Sequence, residues 1–529
     1  MADPDPRDFC DLASMVADHA RQYPHTLAIV DRERRIDYAT LDKFANRVAA
    51  SLQHAGVKPL ETIAICASTS LEYVGVLLGA LRAGVAFAPQ APSSTSAQLT
   101  NVVQDSKARV FFVDSQVAQT LDNDGVPMPT DVARIQLDAM DGSSSKTPWL
   151  VGESVVPATV NIEPDWPFNV IYSSGTTGSP KGILQSHFMR WGWIKYAPLA
   201  EFGPQAVTMV ATPLYSNTTL TSVLPTLAYG GCLVLMAKFD AKNYLDLAQK
   251  ERATHTMLVP VQYQRLMAFD DFDKYDLSSF HIKFCTSAPF RAELKADVLA
   301  RWPGALVEFY GMTEGGGSCI LEAHLFPNKL HTVGRPSDGH DMRLIDEEGR
   351  EVPRIPGGAS QGSGEVVGRS GAMMSGYHGQ PKKTAEAEWY DSDGNRYIRT
   401  GDVGRFDEDG FLILVDRRKD MIISGGFNIY PSDIEAVLFQ HPAVEEASVI
   451  GVPSEEWGET PVAFVVTNEK DDVNEMAMRT WVNSQLGKTQ RLSDLQFVTE
   501  LPRNAIGKVL KRELRELWIA DKAGTANAN

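Results

Sequence analysis

Residues 172–182 read Tyr172-Ser173-Ser174-Gly175-Thr176-Thr177-Gly178-Ser179-Pro180-Lys181-Gly182 and follow a short apolar run that predicts the end of a strand. The three glycines allow the backbone to fold tightly and to approach a ligand closely. Hydroxyl groups, backbone N–H groups and the ammonium of Lys181 together suit the binding of a polyphosphate. The simpler interpretation is a flexible, solvated turn, because loops of this composition are common.

This loop differs from the phosphate-binding loop of kinases and GTPases. In that class a Gly-Lys pair is followed by Ser or Thr at the start of a helix, and the hydroxyl holds magnesium. Here Pro180 precedes Lys181, and Gly182 follows it. Because Pro180 also disfavours a helical conformation at the residue before it, we expect a different kind of phosphate-binding loop.

The segment Tyr310-Gly311-Met312-Thr313-Glu314 follows a predicted strand and offers several groups to a nucleotide. The ring of Tyr310 can stack on a purine, and Gly311 permits close approach of a ligand. Glu314 offers a hard oxygen ligand to magnesium. A packed tyrosine before a turn is the simpler interpretation.

Two further polar positions lie near the C-terminal end. Asp402 ends a predicted strand after a glycine, where a carboxylate can accept hydrogen bonds from both ribose hydroxyls, although it could also cap a turn. Lys508 follows Gly507 in a turn before a predicted helix, whereas a lone lysine there is usually a solvated charge.

Taken in order, these segments resemble the acyl-adenylate-forming superfamily, which includes acyl-CoA synthetases, aryl-CoA ligases, luciferases and the adenylation domains of peptide synthetases. Shorter matches at residues 36–41, 81–84, 333–336 and 374–377 extend the resemblance over nearly the whole chain. It implies that ATP activates a carboxylic acid. The ATP and AMP site implied by the resemblance consists of Ser173, Ser174, Gly175, Thr176, Thr177, Gly178, Lys181, Ser287, Ala288, Pro289, Glu308, Phe309, Tyr310, Gly311, Thr313, Asp402, Arg417 and Lys508.

The resemblance also implies catalytic roles. Lys508 would bridge the carboxylate and the ATP phosphates and offset the charge that builds at phosphorus. Lys181 and Thr176 would hold the polyphosphate, and Thr176 and Glu314 would bind Mg²⁺. Lys419 matches the hinge about which the C-terminal domain would rotate, so that two conformations would serve the two half-reactions.

The acceptor implied for the second half-reaction is CoA. Gly425 and Gly426 form a bare stretch of backbone along which a pantetheine arm could lie. Trp457 matches an aromatic position that CoA ligases place against CoA, although core packing or an exposed edge would also explain it. Transfer to a free-standing carrier protein, and a non-catalytic nucleotide-binding homologue, are the alternatives. Luciferase-type oxygenation also remains open.

The acyl pocket is expected to be lined by Tyr215, Ser216, Asn217, Thr286, Gly311 and Met312. Residues 212–219 contain no carboxylate to bind an α-ammonium group, so an amino acid substrate is not expected. Ser216 stands where many CoA ligases carry histidine, and Thr286-Ser287 stands where relatives often carry two glycines. Thr286 and Ser287 are bulkier than glycine and should narrow the pocket, which favours a short, branched, hydroxylated or compact aryl acid over a medium- or long-chain fatty acid.

Length and composition set the class of protein. The 529 residues exceed a usual single domain, and the net charge of −17 argues against nucleic acid as a main partner. The five cysteines have no metal-site spacing and suggest a reducing compartment. The acidic N-terminus is not a secretory signal, and the most apolar stretch is too interrupted to span a membrane. We therefore expect a cytoplasmic protein, either monomer or homodimer.

Alternation of helical and strand patterns predicts an α/β fold. Residues 1–417 should form a large domain of α/β layers with a small β-rich unit after residue 349. Residues 418–521 should form a small, mobile α+β domain, and residues 522–529 a disordered tail. Residues 115–165 are expected to be rich in loops.

Overall fold

The computed structural model describes residues 8–140, 148–173, 181–355, 358–417, 420–424, 427–454, 457–468, 474–504 and 507–526. Its helices are α1 Leu12–Gln22, α2 Tyr38–His54, α3 Leu71–Arg82, α4 Ser96–Asp105, α5 Ser115–Asp124, α6 His187–Ile194, α7 Asn217–Ala228, α8 Ala241–Lys250, α9 Pro260–Met267, α10 Ala292–Arg301, α11 Pro381–Glu386, α12 Pro431–Leu438, α13 Glu475–Gln485 and α14 Lys511–Ala526. Its strands are β1 Leu27–Asp31, β2 Arg34–Asp37, β3 Thr62–Cys66, β4 Ala86–Gln90, β5 Ala108–Val113, β6 Ala133–Gln136, β7 Pro167–Ser173, β8 Lys181–Ser186, β9 Val207–Val210, β10 Cys232–Leu235, β11 His255–Leu258, β12 Ile282–Cys285, β13 Ala305–Tyr310, β14 Cys319–Glu322, β15 Arg335–Pro336, β16 Asp341–Ile345, β17 Gly364–Arg369, β18 Gly376–Tyr377, β19 Glu388–Tyr390, β20 Arg396–Phe406, β21 Leu412–Arg417, β22 Ile422–Ser424, β23 Phe427–Ile429, β24 Val444–Ser454, β25 Gly458–Thr467 and β26 Asp494–Phe497.

The chain divides into two compact units. Unit 1 is Met1–Met342 with Val367–Ile398, and unit 2 is Arg343–Val366 with Arg399–Asn529. This division places residues 399–417 with the C-terminal segment, so the expected boundary after residue 417 stays a prediction. Helix α14 runs to Ala526 and overlaps the segment that was expected to be a tail.

Unit 1 contains two mainly parallel sheets. In the first, the strand order is β15-β14-β13-β12-β11-β9-β10-β1-β2, and in the second it is β18-β8-β7-β4-β3-β5-β6. The run from β13 to β1 is parallel, as is the run from β7 to β6, and antiparallel strands lie at the ends. The predicted α/β fold is therefore confirmed.

A large apolar core joins side chains of both sheets of unit 1 with helices α1, α2, α3 and α7. Polar side chains fix where these helices begin: Asp11 accepts a hydrogen bond from the Ser14 backbone, and Ser70 accepts one from Tyr73. Such N-caps satisfy backbone donors that would otherwise lack a partner at a helix start. Helix α3 is followed by Gly84 at φ +70°, which side chains adopt at a cost.

Unit 2 holds a sheet of order β23-β22-β25-β24, in which β26 also pairs with β25. Helices α12 and α13 contribute Ile434, Leu438, Met478 and Val482 to an apolar cluster on this sheet. Leu514 of α14 belongs to a second cluster with residues of β24 and β25. Within the described residues of both units, none of the helices has the length and hydropathy needed to cross a lipid bilayer.

Candidate active site

The glycine-rich loop connects two antiparallel strands. Strand β7 ends at Ser173, which pairs with Lys181 at the start of β8. A strand rather than a helix follows the loop, so the segment does not have the strand-to-helix geometry of the kinase and GTPase loop. Residues 174–180, which include the predicted ligand Thr176, lie outside the described residues, as does the side chain of Ser173.

Lys181, Tyr377 and Glu314 lie together at this end of unit 1. The Lys181 Nζ lies 5.0 Å from the centre of the Tyr377 ring, and the Tyr377 hydroxyl donates to Glu314 Oε1 at 2.9 Å. Burial, followed by the charge of Glu314, raises the pKa of Tyr377, so this hydroxyl remains a donor. Two predicted site residues, Lys181 and Glu314, are thus joined by a tyrosine that was not assigned to the site.

The backbone of the segment from Tyr310 to Glu314 is fixed by close packing. Met374 N donates to Glu314 O at 2.8 Å, and Gly315 follows at φ +74°. A Cβ on Gly315 would lie 2.0 Å from the Ala372 carbonyl oxygen, so only glycine fits. Tyr310 is only 8% exposed, which leaves little of its ring open to a purine.

Glu308 lies on β13 in a fully buried ion pair. Its Oε2 lies 2.5 Å from Nζ of Lys295, and Lys295 also donates to the carbonyl oxygens of Leu330 and Thr332 at 2.8 and 3.0 Å. Burial raises the pKa of Glu308, and the pairing with Lys295 opposes that shift. The carboxylate is therefore engaged inside unit 1, and its predicted contact with ATP stays a prediction.

The polar residues expected to line the acyl pocket bond to one another and to the backbone. Ser216 caps helix α7, and Thr218 on the first turn of that helix shares a 2.5 Å hydrogen bond with the Ser287 hydroxyl. Thr286 donates to the Phe309 carbonyl at 2.7 Å. The segment after β12 is thereby bonded both to α7 and to β13.

Ser287 has a backbone conformation that favours glycine. Its φ is +82°, and a non-glycine residue in this region carries strain that surrounding contacts must offset. The bond to Thr218 is such a contact. The resemblance implies glycine at this position in many relatives, so Ser287 adds a side chain where the positive φ favours glycine.

Arg190 of α6 is the centre of a buried network of amide side chains. Its Nη2 donates to Asn217 Oδ1 at 2.9 Å and to Asn169 Oδ1 at 3.2 Å, and it also bonds to Gln185 Oε1. Gln185 Nε2 in turn donates to the Thr313 carbonyl at 2.6 Å. The network therefore joins the predicted acyl-pocket residue Asn217 to the predicted nucleotide segment, although Arg190 was not singled out from the sequence.

Unit 2 carries the remaining predicted residues. Asp402 of β20 is the direct partner of Arg417 on β21, which brings two predicted ribose contacts into register although 15 positions separate them in the chain. Trp457 is 52% exposed, so it is not a core residue. Lys419, Gly425 and Gly426 lie outside the described residues, and for Arg417 only the backbone is described.

Lys508 lies in a turn that backbone hydrogen bonds hold in place. Its N–H donates to Asn504 Oδ1 at 2.9 Å, and its carbonyl accepts from the Asn504 N–H at 2.9 Å. Arg503 donates to the Gly507 carbonyl at 2.7 Å. None of these three hydrogen bonds uses the Lys508 side chain.

Comparisons with known proteins agree with the motifs. Residues 16–378 match the AMP-binding enzyme family, and residues 433–508 match the AMP-binding enzyme C-terminal domain. A feruloyl-CoA synthase of Amycolatopsis sp is 32% identical over 95% of this chain and 98% of its own length. A fatty acid–[acyl-carrier-protein] ligase, ScoC of Streptomyces coeruleorubidus, is 30% identical over 96% of each chain.

Among solved structures, ATP-bound MatB from Rhodopseudomonas palustris superposes with a TM-score of 0.82 at 29% identity, covering 96% of this chain and 99% of that one. The match extends over the large N-terminal and small C-terminal domains of the adenylate-forming fold, so the predicted superfamily is confirmed. The chain belongs to the AMP-binding enzyme family, and the names of the family and of its relatives indicate an AMP-forming acyl-CoA synthetase, which is a ligase.

Proposed function

We propose that this protein is an ATP-dependent carboxylic acid–CoA ligase whose substrate is a compact acid. The observation that carries the proposal is the match of both family models to one chain that also aligns with a feruloyl-CoA synthase over nearly its full length. A carboxylate oxygen attacks the α-phosphorus of ATP, pyrophosphate leaves, and an acyl-AMP forms. The CoA thiolate then attacks the acyl carbon, and AMP leaves.

Some of the side chains bind the substrates, and others stabilise the charge that develops during the reaction. Lys181 and the loop before it bind the polyphosphate, and Asp402 binds the ribose. Lys508 offsets the charge that builds at phosphorus. Mg²⁺ would neutralise phosphate charge when bound, and Glu314 would supply one of its oxygen ligands. A single carboxylate fits this role, because proteins usually bind nucleotide-associated Mg²⁺ through one or two carboxylates. Among the described residues there is no group of three His, Cys, Asp or Glu that could hold a metal alone.

The test is an assay of pyrophosphate and AMP release with a panel of carboxylic acids, with and without CoA. We expect AMP and an acyl-CoA with at least one compact acid. Failure of the purified enzyme to form AMP with any acid in the presence of ATP and Mg²⁺ would remove the proposal. The five free cysteines are consistent with a cytoplasmic location, and whether the enzyme is a monomer or a homodimer is to be measured in the same preparation.

A carrier protein is the second candidate acceptor. It is favoured by the 30% identity to a fatty acid–[acyl-carrier-protein] ligase over almost the whole chain. Replacing CoA by a phosphopantetheinylated carrier protein in the same assay separates the two. If acyl-AMP is consumed by the carrier and not by CoA, the acceptor assignment is wrong while the adenylation assignment stands.

Replacement of Ser287 by glycine tests whether this side chain limits the length of acid that the enzyme accepts. We expect Ser287→Gly to raise kcat/KM for longer acids by about 10-fold relative to short ones, because each methylene in an apolar pocket is worth roughly 1–3 kcal/mol. Stability should change little, since relief of the strained φ offsets the lost bond to Thr218. The measurement is a rate survey across acid lengths.

Thr218→Val is the matched control for Ser287. It removes the same hydrogen bond but leaves the Ser287 side chain and its φ in place. Its acid-length profile should remain that of the wild type. If the wild-type enzyme prefers palmitate-sized acids, or if both variants shift the profile equally, Ser287 does not limit the pocket.

Tyr377 tests the role of Glu314. We expect Tyr377→Phe to raise the Mg²⁺ concentration that half-saturates AMP formation by about 10- to 100-fold, because groups that orient a metal ligand contribute on that scale. The phenol donates to Glu314 Oε1, and phenylalanine keeps the ring beside Lys181. The titration should be repeated with Tyr390→Phe, which removes an exposed tyrosine hydroxyl bonded to Glu388. A loss of rate that saturating Mg²⁺ does not restore would contradict the assignment.

A further inference from the structure

Arg190 is a buried cation that has no ion-pair partner among the residues that the structure describes. The residue is 1% exposed, and its partners are the neutral side chains of Asn169, Gln185 and Asn217. Throughout the described ranges no carboxylate forms an ion pair with it. Burial lowers the pKa of Arg190 to about 9, which reflects the cost of keeping the charge out of water.

The network also contains donors that lack acceptors. Within the part of the chain that the structure describes, Arg190 Nη1 and Asn169 Nδ2 make no hydrogen bond. Buried donors of this kind cost free energy, and most proteins satisfy them. A residue that only stabilised the packing of neighbouring elements would not need a charged group in which one nitrogen makes no hydrogen bond. The arrangement therefore suits an acceptor that comes from outside the chain.

The position of the network indicates which ligand would bring that acceptor. Asn217, which accepts from Arg190, follows Tyr215 and Ser216 in the stretch expected to line the acyl pocket. Gln185 connects the other side of the network to the Thr313 carbonyl in the predicted nucleotide segment. The Trp193 ring lies 4.7 Å from the guanidinium carbon and is half-buried.

We propose that Arg190 binds a second, non-reacting carboxylate of the substrate, so that the acid activated by this enzyme is a compact dicarboxylic acid. This inference rests on the proposed acid–CoA ligase function. A carboxylate supplies two acceptor oxygens in the plane of a guanidinium and neutralises its charge. Binding at Nη1 requires the Trp193 indole to move aside, because this ring lies 4.7 Å from the guanidinium carbon.

The reacting carboxylate is a less suitable occupant for this site. It must lose its negative charge on forming acyl-AMP, and a strong buried guanidinium pair would stabilise the ground state and oppose that step. A second carboxylate keeps its charge throughout both half-reactions. Its ion pair with Arg190 therefore contributes to binding and selectivity and does not oppose the reaction of the other carboxylate.

The test compares dicarboxylic acids with their monomethyl esters, which keep the shape and remove one charge. The series runs from malonate to adipate and includes isophthalate and terephthalate. For the best diacid we expect kcat/KM to exceed that of its monoester by about 10²- to 10⁴-fold, because a site built to bond a polar group rejects an analogue that lacks it. In Arg190→Met this ratio should fall to about one. Because both acids are assayed with the same enzyme preparation, the ratio does not depend on the fraction of the variant that is folded.

Lys283→Met is the matched control. Lys283 is also a buried cation in unit 1, but it donates to the carbonyl oxygens of Trp302, Pro303 and Gly304, so its donors are satisfied. Its removal should lower stability and leave the diacid preference intact. Thermal shift with a non-hydrolysable ATP analogue and each acid reports binding without turnover, and only the wild type and Lys283→Met should be stabilised more by the diacid.

The outcomes separate the inference from the function on which it rests. If monoesters or simple monoacids form AMP as well as diacids in the wild type, the enzyme is an acid ligase and the role of Arg190 is wrong. The role of Arg190 is also wrong if Arg190→Met lowers kcat/KM equally for all acids. In that case Arg190 would bind the reacting carboxylate or would only stabilise the fold. If no acid of any kind forms AMP, both the proposed function and the inference fail.

Discussion

Replacing Lys508 by alanine should lower acyl-adenylate formation by at least about 10²- to 10³-fold, the scale on which a preorganised charge stabilises a transition state. Thioester formation from supplied acyl-AMP should remain within a few-fold of the wild type. The reason is that the negative charge at phosphorus builds only in the first half-reaction. The second half-reaction breaks an acyl–oxygen bond and has no such requirement.

The structure supports reading this loss as chemical rather than structural. The turn that carries Lys508 is held by hydrogen bonds from the Lys508 backbone to the backbone and the side chain of Asn504, and Leu501 and Leu514 on either side of it are buried in the same apolar cluster. Alanine leaves all of these in place. The measurements are pyrophosphate release in the absence of CoA and, separately, acyl-CoA formation from synthetic acyl-AMP.

Lys511→Met is the control for Lys508. Lys511 lies three residues further on and pairs with Glu435 at 3.1 Å, so its removal deletes a nearby cation with a known partner. Partly exposed pairs contribute little, and we expect both half-reactions to stay near the wild-type rate. Equal loss of both half-reactions in Lys508→Ala would contradict a role confined to adenylation, and with it the two-conformation scheme expected from the resemblance.

Helices and strands could be predicted where the sequence carries both a periodic pattern of apolar residues and a residue type that ends the element. Strand β3 is a run of five buried residues, and α3 begins after the Ser70 cap and is followed by Gly84, so the sequence carries clear signals for both. Helix α5, in the stretch expected to be rich in loops, shows the opposite case. Only Val117 and Leu121 of its ten residues are buried, so the sequence shows no clear helical pattern of apolar residues. Its local signals were the Asp114 cap and Gly125 at the end.

The site was predictable as a set of motifs but not as a set of contacts. Tyr377 and Glu314 are 63 residues apart, and Arg190 and Asn217 are 27 apart, so only folding makes them partners. In the sequence Arg190 precedes Trp191 and Trp193, and an arginine has the character of a surface residue. Likewise the resemblance implies that Glu308 contacts ATP, but the sequence gives no sign that its carboxylate is paired with Lys295, 13 residues earlier in the chain.

Replacing Lys295 by methionine should lower the free energy of unfolding by about 3–5 kcal/mol, because it leaves the Glu308 carboxylate buried without its partner. Both side chains are at most 4% exposed, so water cannot replace the lost ammonium. The carbonyl oxygens of Leu330 and Thr332 also lose a donor. The measurement is thermal and urea unfolding of the variant beside Arg343→Met, which removes one partner of an ion pair with the partly exposed Glu351.

The double variant Lys295→Met/Glu308→Leu decides what Glu308 does. Exchanging a buried pair for apolar side chains of similar volume is often neutral, so most of the lost stability should return. If the carboxylate serves only the ion pair, the folded double variant keeps the KM for ATP of the wild type. If Glu308 contacts the nucleotide through its side chain, stability returns while the KM for ATP rises. The pair of measurements therefore separates a fold-stabilising carboxylate from a nucleotide-binding one, which adjacency to a motif in the sequence cannot do.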